Sequence, residues 1–268
     1  MIEPYEINHI YAGECSEMMV ALPDECIDLT VTSPPYDNLR DYNGFTFDYK
    51  PVLQQLYRVT KKGGVVVWVV ADATINGSET GTSFRQALYA MECGFRLHDT
   101  MIYQTDKPPM NDNRYQACFE YMFVFSKGKP KAFNPIMVKS KQGGRKRTAI
   151  TYRQENGKLS DQWRGGVYNA TTIKTSIWQF GAGASKGTRD KYAFNHPGTF
   201  PESLARDHIL SWSNPGELVL DPFMGSGTTA KMAYQNGRNY LGFDISPEYV
   251  KLARKRVSWA NPPLLVVS

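Results

Sequence analysis

The stretch from Glu217 to Asp244 limits the fold more than any other part of this 268-residue chain. Glu217-Leu218-Val219-Leu220-Asp221 reads as an apolar strand that ends in an acid, and Thr228 to Asn236 reads as a helix. Between them runs Pro222-Phe223-Met224-Gly225-Ser226-Gly227, where Gly225 and Gly227 permit a tight turn and close ligand approach. A second strand, Asn239 to Asp244, also ends in an acid, and a helix from Glu248 to Trp259 follows. Open sheets built this way bind ligands beyond the carboxyl ends of their strands.

The rest of the chain keeps the same rhythm. Ile27 to Val31 reads as a strand ending at Thr32, residues 48–60 as a helix with Leu53, Leu56 and Val59 on one face, and Lys61-Lys62-Gly63-Gly64 as a turn. Val65 to Val70 is a continuous apolar run that suits a strand buried on both faces. A helix near 82–92, strands near 97–103 and 119–125, and a helix from Pro201 to Ser211 extend the alternation. The fold class expected is α/β, a doubly wound and mostly parallel sheet with a small insertion. Hydrophobic residues at 41% and charged residues at 21% fit one globular domain.

Three portions are expected: 1–136, an insertion at 137–195, and 196–268. The insertion reads as mostly irregular, rich in Gly, Ser, Thr and Asn, with Trp163, Tyr168 and Trp178 interspersed. Lys139, Lys141, Arg145, Lys146 and Arg147 form a basic cluster there. Such a cluster suits phosphate contacts, and a solvated loop without a ligand is the competing reading. The net charge of +5 is compatible with a polyanionic partner without requiring one.

Two strand ends carry candidate sites. At the first, Asp221 and Asp244 offer carboxylates beside the turn of Phe223, Gly225, Ser226, Gly227 and Thr228. An acid at the position of Asp244 suits ribose hydroxyls. No Lys follows Gly227, which excludes a phosphate-binding P-loop, and the spacing is not GxGxxG. An adenosine-bearing cofactor without a pyrophosphate fits. The second site is Thr32-Ser33-Pro34-Pro35-Tyr36. In isolation Pro-Pro-Tyr reads as a surface turn or a peptide-like segment. After an apolar strand it reads as a scaffolded site, where Ser33 and peptide carbonyls accept hydrogen bonds and Tyr36 offers a stacking face.

Together these residues resemble the DNA amino-methyltransferases that modify cytosine N4 or adenine N6. Ser33-Pro34-Pro35-Tyr36 matches the family's catalytic motif, and Asp221 to Thr228 matches its cofactor motif. The catalytic motif comes first, the permuted order of the beta class. The resemblance covers nearly the whole chain and is weakest at 137–194. It implies S-adenosylmethionine as cofactor, the methyltransferase form of the α/β fold, double-stranded DNA as substrate and a homodimer. It also places the chain among DNA-modification enzymes of the restriction-modification type, although no partner endonuclease is legible. Gly13-Glu14-Cys15 resembles the segment in which the acid, here Glu14, helps position the cofactor. His196 to Pro201 resembles the segment closing over the cofactor's methionine part, which adds Thr199 and Phe200.

The implied reaction is direct in-line transfer of a methyl group to an exocyclic amino nitrogen. Ser33 and the Pro34 carbonyl would orient the amino hydrogens while Tyr36 stacks on a flipped base. Ser at the first motif position favours cytosine N4, and adenine N6 remains open. Arg40, in the loop from Asp37 to Tyr42, reads either as a DNA contact or as a solvated side chain. A noncatalytic DNA-binding protein and an RNA or small-molecule methyltransferase are the competing functional readings. Cys15, Cys26, Cys93 and Cys118 are dispersed, as are the four histidines, so no metal is expected. The chain is expected to be cytoplasmic, with no membrane partner.

Overall fold

The computed structural model describes residues 2–36, 47–105, 113–147, 150–162, 166–181, 187–188, 190 and 201–260. The amino-terminal elements are β1 (His9–Ala12), α1 (Cys15–Val20), β2 (Ile27–Thr32), α2 (Tyr49–Val59) and β3 (Thr60–Val70). Then come β4 (Thr74–Ile75), β5 (Ser78–Glu79), α3 (Thr82–Glu92), β6 (Arg96–Thr105) and β7 (Phe119–Ser126). The middle holds β8 (Met137–Lys139), β9 (Ile150–Arg153), β10 (Leu159–Gln162), β11 (Thr171–Ile173) and β12 (Ile177–Phe180). The chain closes with α4 (Glu202–Trp212), β13 (Leu218–Asp221), α5 (Thr228–Gln235), β14 (Asn239–Asp244) and α6 (Pro247–Ser258).

Residues Met1–Asn134 and Ser176–Ser268 form one compact unit around an eight-stranded sheet ordered β1-β14-β13-β2-β3-β7-β6-β12. Neighbouring strands pair in parallel except at β7, which runs against both β3 and β6. Side chains alternate across the strands. Val66, Trp68 and Val70 of β3 therefore share a core with Met19 of α1, Leu53 and Leu56 of α2, and Ala87 and Ala90 of α3. Helices α4, α5 and α6 pack on one another and against β2, β13 and β14. The sheet order turns at β13 and β2, which are adjacent in space and far apart in the chain. Leu220 lies opposite Thr30 and Asp221 opposite Gly242, so the carboxyl ends of β2, β13 and β14 come level. Open α/β sheets bind their ligands at such a turn in strand order. Among the described residues no helix is long and apolar enough to cross a membrane.

Two expectations about secondary structure change. Lys61 to Gly64 is not a turn between elements but part of β3, where the register against β2 shifts between Ile27 and Leu29. Gly63 donates to the Lys127 carbonyl and accepts from the Lys131 N–H, so the 127–131 segment holds the irregularity in place. The second change concerns 137–195. The compact second unit spans Pro135–Thr175, and most of its described residues lie outside helix and strand, but they frame ordered pairings. It holds two antiparallel pairs, β8 with β11 and β9 with β10. Trp178 lies beyond it, on β12, which pairs with β6 in the main sheet. There its ring stacks on His208 at 4.6 Å between centroids.

Gly63 has φ +82°, and a Cβ there would press on the Lys131 stem and sit 3.1 Å from the Lys129 carbonyl oxygen. Gly63→Ala is therefore expected to destabilise the protein by about 1–2 kcal/mol, the left-handed penalty of an L residue. Urea titration should show a lower midpoint with an unchanged slope.

Candidate active site

The two motif segments meet through one carboxylate. Thr32, the last residue of β2, donates from Oγ1 to Asp221 Oδ1 at 2.6 Å, across 189 residues of chain. The Phe223 N–H donates to the same oxygen at 3.0 Å. Asp221 is 1% exposed. Burial pushes its carboxyl up to about 6, the Thr32 and Phe223 hydrogen bonds oppose that rise, and the Asp244 charge adds to it. The sequence motif places Asp221 beside the turn, and the structure makes it the joint between both motifs.

Asp244 shapes the glycine turn. Its Oδ2 accepts from the Gly225 N–H at 2.7 Å and its Oδ1 from the Ser246 N–H at 2.9 Å. Burial raises this carboxyl as well, against those two hydrogen bonds. A carboxylate has about four lone-pair directions, so two remain for a nucleoside hydroxyl. The Gly13 N–H donates to the Asp244 carbonyl at 2.9 Å, which sets Glu14 next to this strand end. Glu14 itself caps α1, accepting from the Glu17 N–H at 2.8 Å and from the Ser16 hydroxyl. Burial would raise its carboxyl, but these hydrogen bonds leave it below its ordinary value.

Around the turn, Gly225 and Gly227 have φ of 49° and 83°, as the tight bend requires. Phe223 stays half-buried, edge-on to Phe47 at 5.3 Å and to Trp68 at 6.1 Å. An apolar ring, a carboxylate at the next strand end and a glycine turn suit an adenosyl group. The nearest Lys along α5, Lys231, is paired with Asp190 and Glu202 and is not a phosphate ligand in this arrangement. Ser226 and Thr228, expected at the cofactor, turn their hydroxyls to Arg256 at 3.0 and 2.9 Å.

In the second motif, Ser33 donates from Oγ to Tyr36 Oη at 2.8 Å, and Tyr36 donates to Glu120 Oε2 at 2.8 Å. The Ser33 proton is thus committed, which leaves the oxygen's lone pairs to accept. Pro34 is buried, while Pro35 and Tyr36 are half-buried. Glu120 lies on β7 and did not figure among the sequence candidates. Its signal was a lone acid within the apolar run Phe119 to Phe125.

The remaining candidates divide. Lys139, Lys141, Arg145 and Lys146 are exposed on the second unit. Arg147 is half-buried, its guanidinium 5.3 Å from the centre of the Tyr168 ring. Arg145 and Arg147 make backbone hydrogen bonds with Tyr168 and Gly166, so the basic run is one side of an ordered pairing. Arg40, Thr199 and Phe200 lie outside the described residues.

The raised Asp221 carboxyl has a measurable consequence. Unfolded, it ionises near 3.8; folded, near 6. Its contribution is therefore least unfavourable at low pH, and the protein loses stability as pH rises through that window. Keeping it ionised at pH 7 costs on the order of 3 kcal/mol. Asp190 and Glu202 act oppositely. Burial would raise them, but hydrogen bonds from Lys231 and the Arg256 charge lower them, so their stabilisation is lost on acidification. Asp221→Asn keeps an acceptor for Thr32 and removes the titration. The expected outcome is that unfolding free energy falls less between pH 4.5 and 7.5 in this variant than in the unmutated protein, by about 2 kcal/mol.

Residues 27–255 match the family model described as DNA methylase. The orphan methyltransferase M.BamHII of Bacillus amyloliquefaciens is 54% identical over 237 residues, covering 87% of this chain and 89% of that protein. The DNA adenine methyltransferase YhdJ of Escherichia coli K12 is 28% identical over 269 residues, covering 96% and 84%. Among solved structures, the putative DNA modification methylase TTHA0409 of Thermus thermophilus, complexed with S-adenosyl-L-methionine, superposes with a TM-score of 0.65 at 22% identity, covering 96% of this chain and 95% of that one. The cytosine-N4-specific PvuII DNA methyltransferase gives a TM-score of 0.66 at 18% identity, covering 93% and 89%. The fold, the permuted motifs and these matches agree: the chain belongs to the family of S-adenosylmethionine-dependent DNA amino-methyltransferases that modify cytosine N4 or adenine N6.

Proposed function

We propose that this enzyme methylates N4 of cytosine in double-stranded DNA at the Ser33–Tyr36 segment. The observation that carries the reading is the neutral Ser33 hydroxyl, whose proton goes to Tyr36 and whose oxygen remains an acceptor. S-adenosylmethionine supplies an electrophilic sulfonium methyl group when bound. Ser33 Oγ and the Pro34 carbonyl accept from the two amino hydrogens, drawing the nitrogen out of ring conjugation and turning its lone pair outward. This is positioning and charge stabilisation that strengthens toward the transition state. No enzyme nucleophile is needed.

In this reading Phe223 holds the adenine ring of the cofactor, Asp244 its ribose, and Glu14, Thr199 and Phe200 the remainder. Gly225 and Gly227 give the turn room for close approach, while Ser226 and Thr228 fix its shape. Asp221 keeps both segments in register. Adenine N6 is the second reading, favoured by the 28% identity with the DNA adenine methyltransferase YhdJ.

The Pro135–Thr175 unit serves as the target-recognition part, with Lys139, Lys141, Arg145, Lys146 and Arg147 on phosphates and Arg40 at the backbone near the base. A homodimer belongs to the same proposal. Phe84, Leu88 and Met91 stand exposed at i, i+4 and i+7 on α3, an apolar stripe that a second copy would cover.

Incubation with labelled S-adenosylmethionine and duplex DNA, followed by mass spectrometry of the nucleosides, is expected to give N4-methylcytosine. N6-methyladenine in its place would establish the second reading. Base–aromatic stacking is worth about 1–3 kcal/mol, so Tyr36→Ala is expected to lower kcat/KM roughly tenfold to a hundredfold. Cofactor affinity should hold, and Tyr36→Phe, which keeps the ring but removes the acceptor of the Ser33 proton, should lose less activity than Tyr36→Ala. Changing Lys141, Arg145 and Lys146 together to Ala is expected to weaken DNA binding across all sequences. It should flatten the logarithmic salt dependence by about one for each lost phosphate contact. An unchanged salt slope would remove these residues from the interface.

A further inference from the structure

The most heavily cross-linked polar group in the described structure lies behind the glycine turn and takes no part in the chemistry above. Arg256 of α6 is 3% exposed and Lys231 of α5 is 8% exposed. Arg256 donates from Nε to Asp190 at 2.8 Å and from Nη2 to Glu202 at 2.6 Å and Thr188 Oγ1 at 3.1 Å. Its Nη1 points the other way, to the Ser226 carbonyl at 3.2 Å, Ser226 Oγ at 3.0 Å and Thr228 Oγ1 at 2.9 Å. Lys231 closes the group, reaching Asp190 at 2.7 Å and Glu202 at 2.8 Å. Two cations face two carboxylates, so the cluster balances its own charge.

We infer that Arg256 is a positioning residue for S-adenosylmethionine binding, fixing the Ser226–Thr228 turn to Asp190 and Glu202. The inference rests on the reading of that turn as cofactor-binding. Three observations support it. The turn depends on left-handed glycines at 225 and 227, which by themselves favour no single conformation. Helix α5 starts at Gly227 without a side-chain cap, so Arg256 supplies the anchor for Ser226 and Thr228. Finally, Asp190 and Glu202 stand in sequence on either side of 191–200, so one guanidinium holds three separate stretches of chain. Only a planar fork spans these acceptors together; an ammonium is a point charge and serves one set at a time.

The test uses the full-length enzyme and S-adenosylmethionine itself, titrated calorimetrically without DNA, beside steady-state kinetics. Arg256→Lys is expected to raise both the Kd and the KM for S-adenosylmethionine on the order of tenfold. Saturated kcat and the DNA affinity should stay near those of the unmutated enzyme. Glu202→Gln, which touches no part of the turn, should raise the same Kd, and the double variant should be little worse than Arg256→Lys alone. If Arg256→Lys does not fold, the Glu202→Gln titration decides. A lower Tm with unchanged cofactor Kd in both variants overturns the inference and leaves the cluster purely structural. A fall in kcat at unchanged Kd overturns it too. Phe223→Ala separates the two levels: if it also leaves Kd unchanged, the turn is not the cofactor site. If it weakens binding while Arg256→Lys does not, the positioning role alone is wrong.

Discussion

A carboxylate with 1% exposure is an expensive thing to place at the seam of a sheet, and here the site is assembled around one. Asp221 sits where β13 meets β2, and its Oδ1 takes both the Thr32 hydroxyl and the Phe223 N–H. Those two donors lead directly into the two functional segments. Ser33 follows Thr32 and begins the Pro-Pro-Tyr stretch, while Phe223 opens the glycine turn. The distance between the two segments is therefore set by one acceptor atom and the parallel pairing beneath it. A shift of either strand by a residue would send its side chain to the opposite face and leave the buried charge unpaired.

This arrangement also shows why the order of the motifs along the chain matters little to the site. The Ser33–Tyr36 segment comes first and the Asp221–Thr228 segment last, yet β2 and β13 are neighbours in the sheet. Each belongs to its own strand–helix–strand unit, β2 through α2 to β3 and β13 through α5 to β14. Nothing in either unit requires the other to precede it. What must be preserved is the level of the strand ends, and the pairing of Thr30 with Leu220 and of Asp221 with Gly242 preserves it.

The central layer was legible because its strands are short apolar runs ending at turn signals, and its helices carry clear apolar faces. Boundaries fell within a residue or two at β2, α2, α3, β13, α5 and β14. The misreadings have specific causes. Lys-Lys-Gly-Gly has turn composition, but its backbone is held in β3 by the distant 127–131 segment, which no local pattern reports. β12 is a four-residue edge strand whose parallel partner β6 lies some 75 positions earlier, so its register is a tertiary property. Arg256 was hidden differently. In Lys251-Leu252-Ala253-Arg254-Lys255-Arg256 it looks like one of several solvated cations. Only the helix phase turns it inward with Val250, Ala253 and Val257, while Lys255 lies outside over Trp259.

The same inward turn bears on how the Gly-Ser-Gly-Thr-Thr stretch should be understood. Its polar residue types invite the reading that hydroxyls contact a ligand. In the structure Ser226 and Thr228 serve Arg256, and Thr229 donates to the Val31 carbonyl at 3.0 Å. The side chains stitch the turn to α6 and β2, and the Gly225 N–H is committed to Asp244. On the reading proposed for this turn, recognition falls to the half-buried Phe223 ring, the remaining lone pairs of Asp244 and the glycine backbone. Such a division suits the adenosyl half of the cofactor, an aromatic base carrying one diol. Small hydroxyl residues lock the shape of the turn, and a few groups at its edge read the ligand.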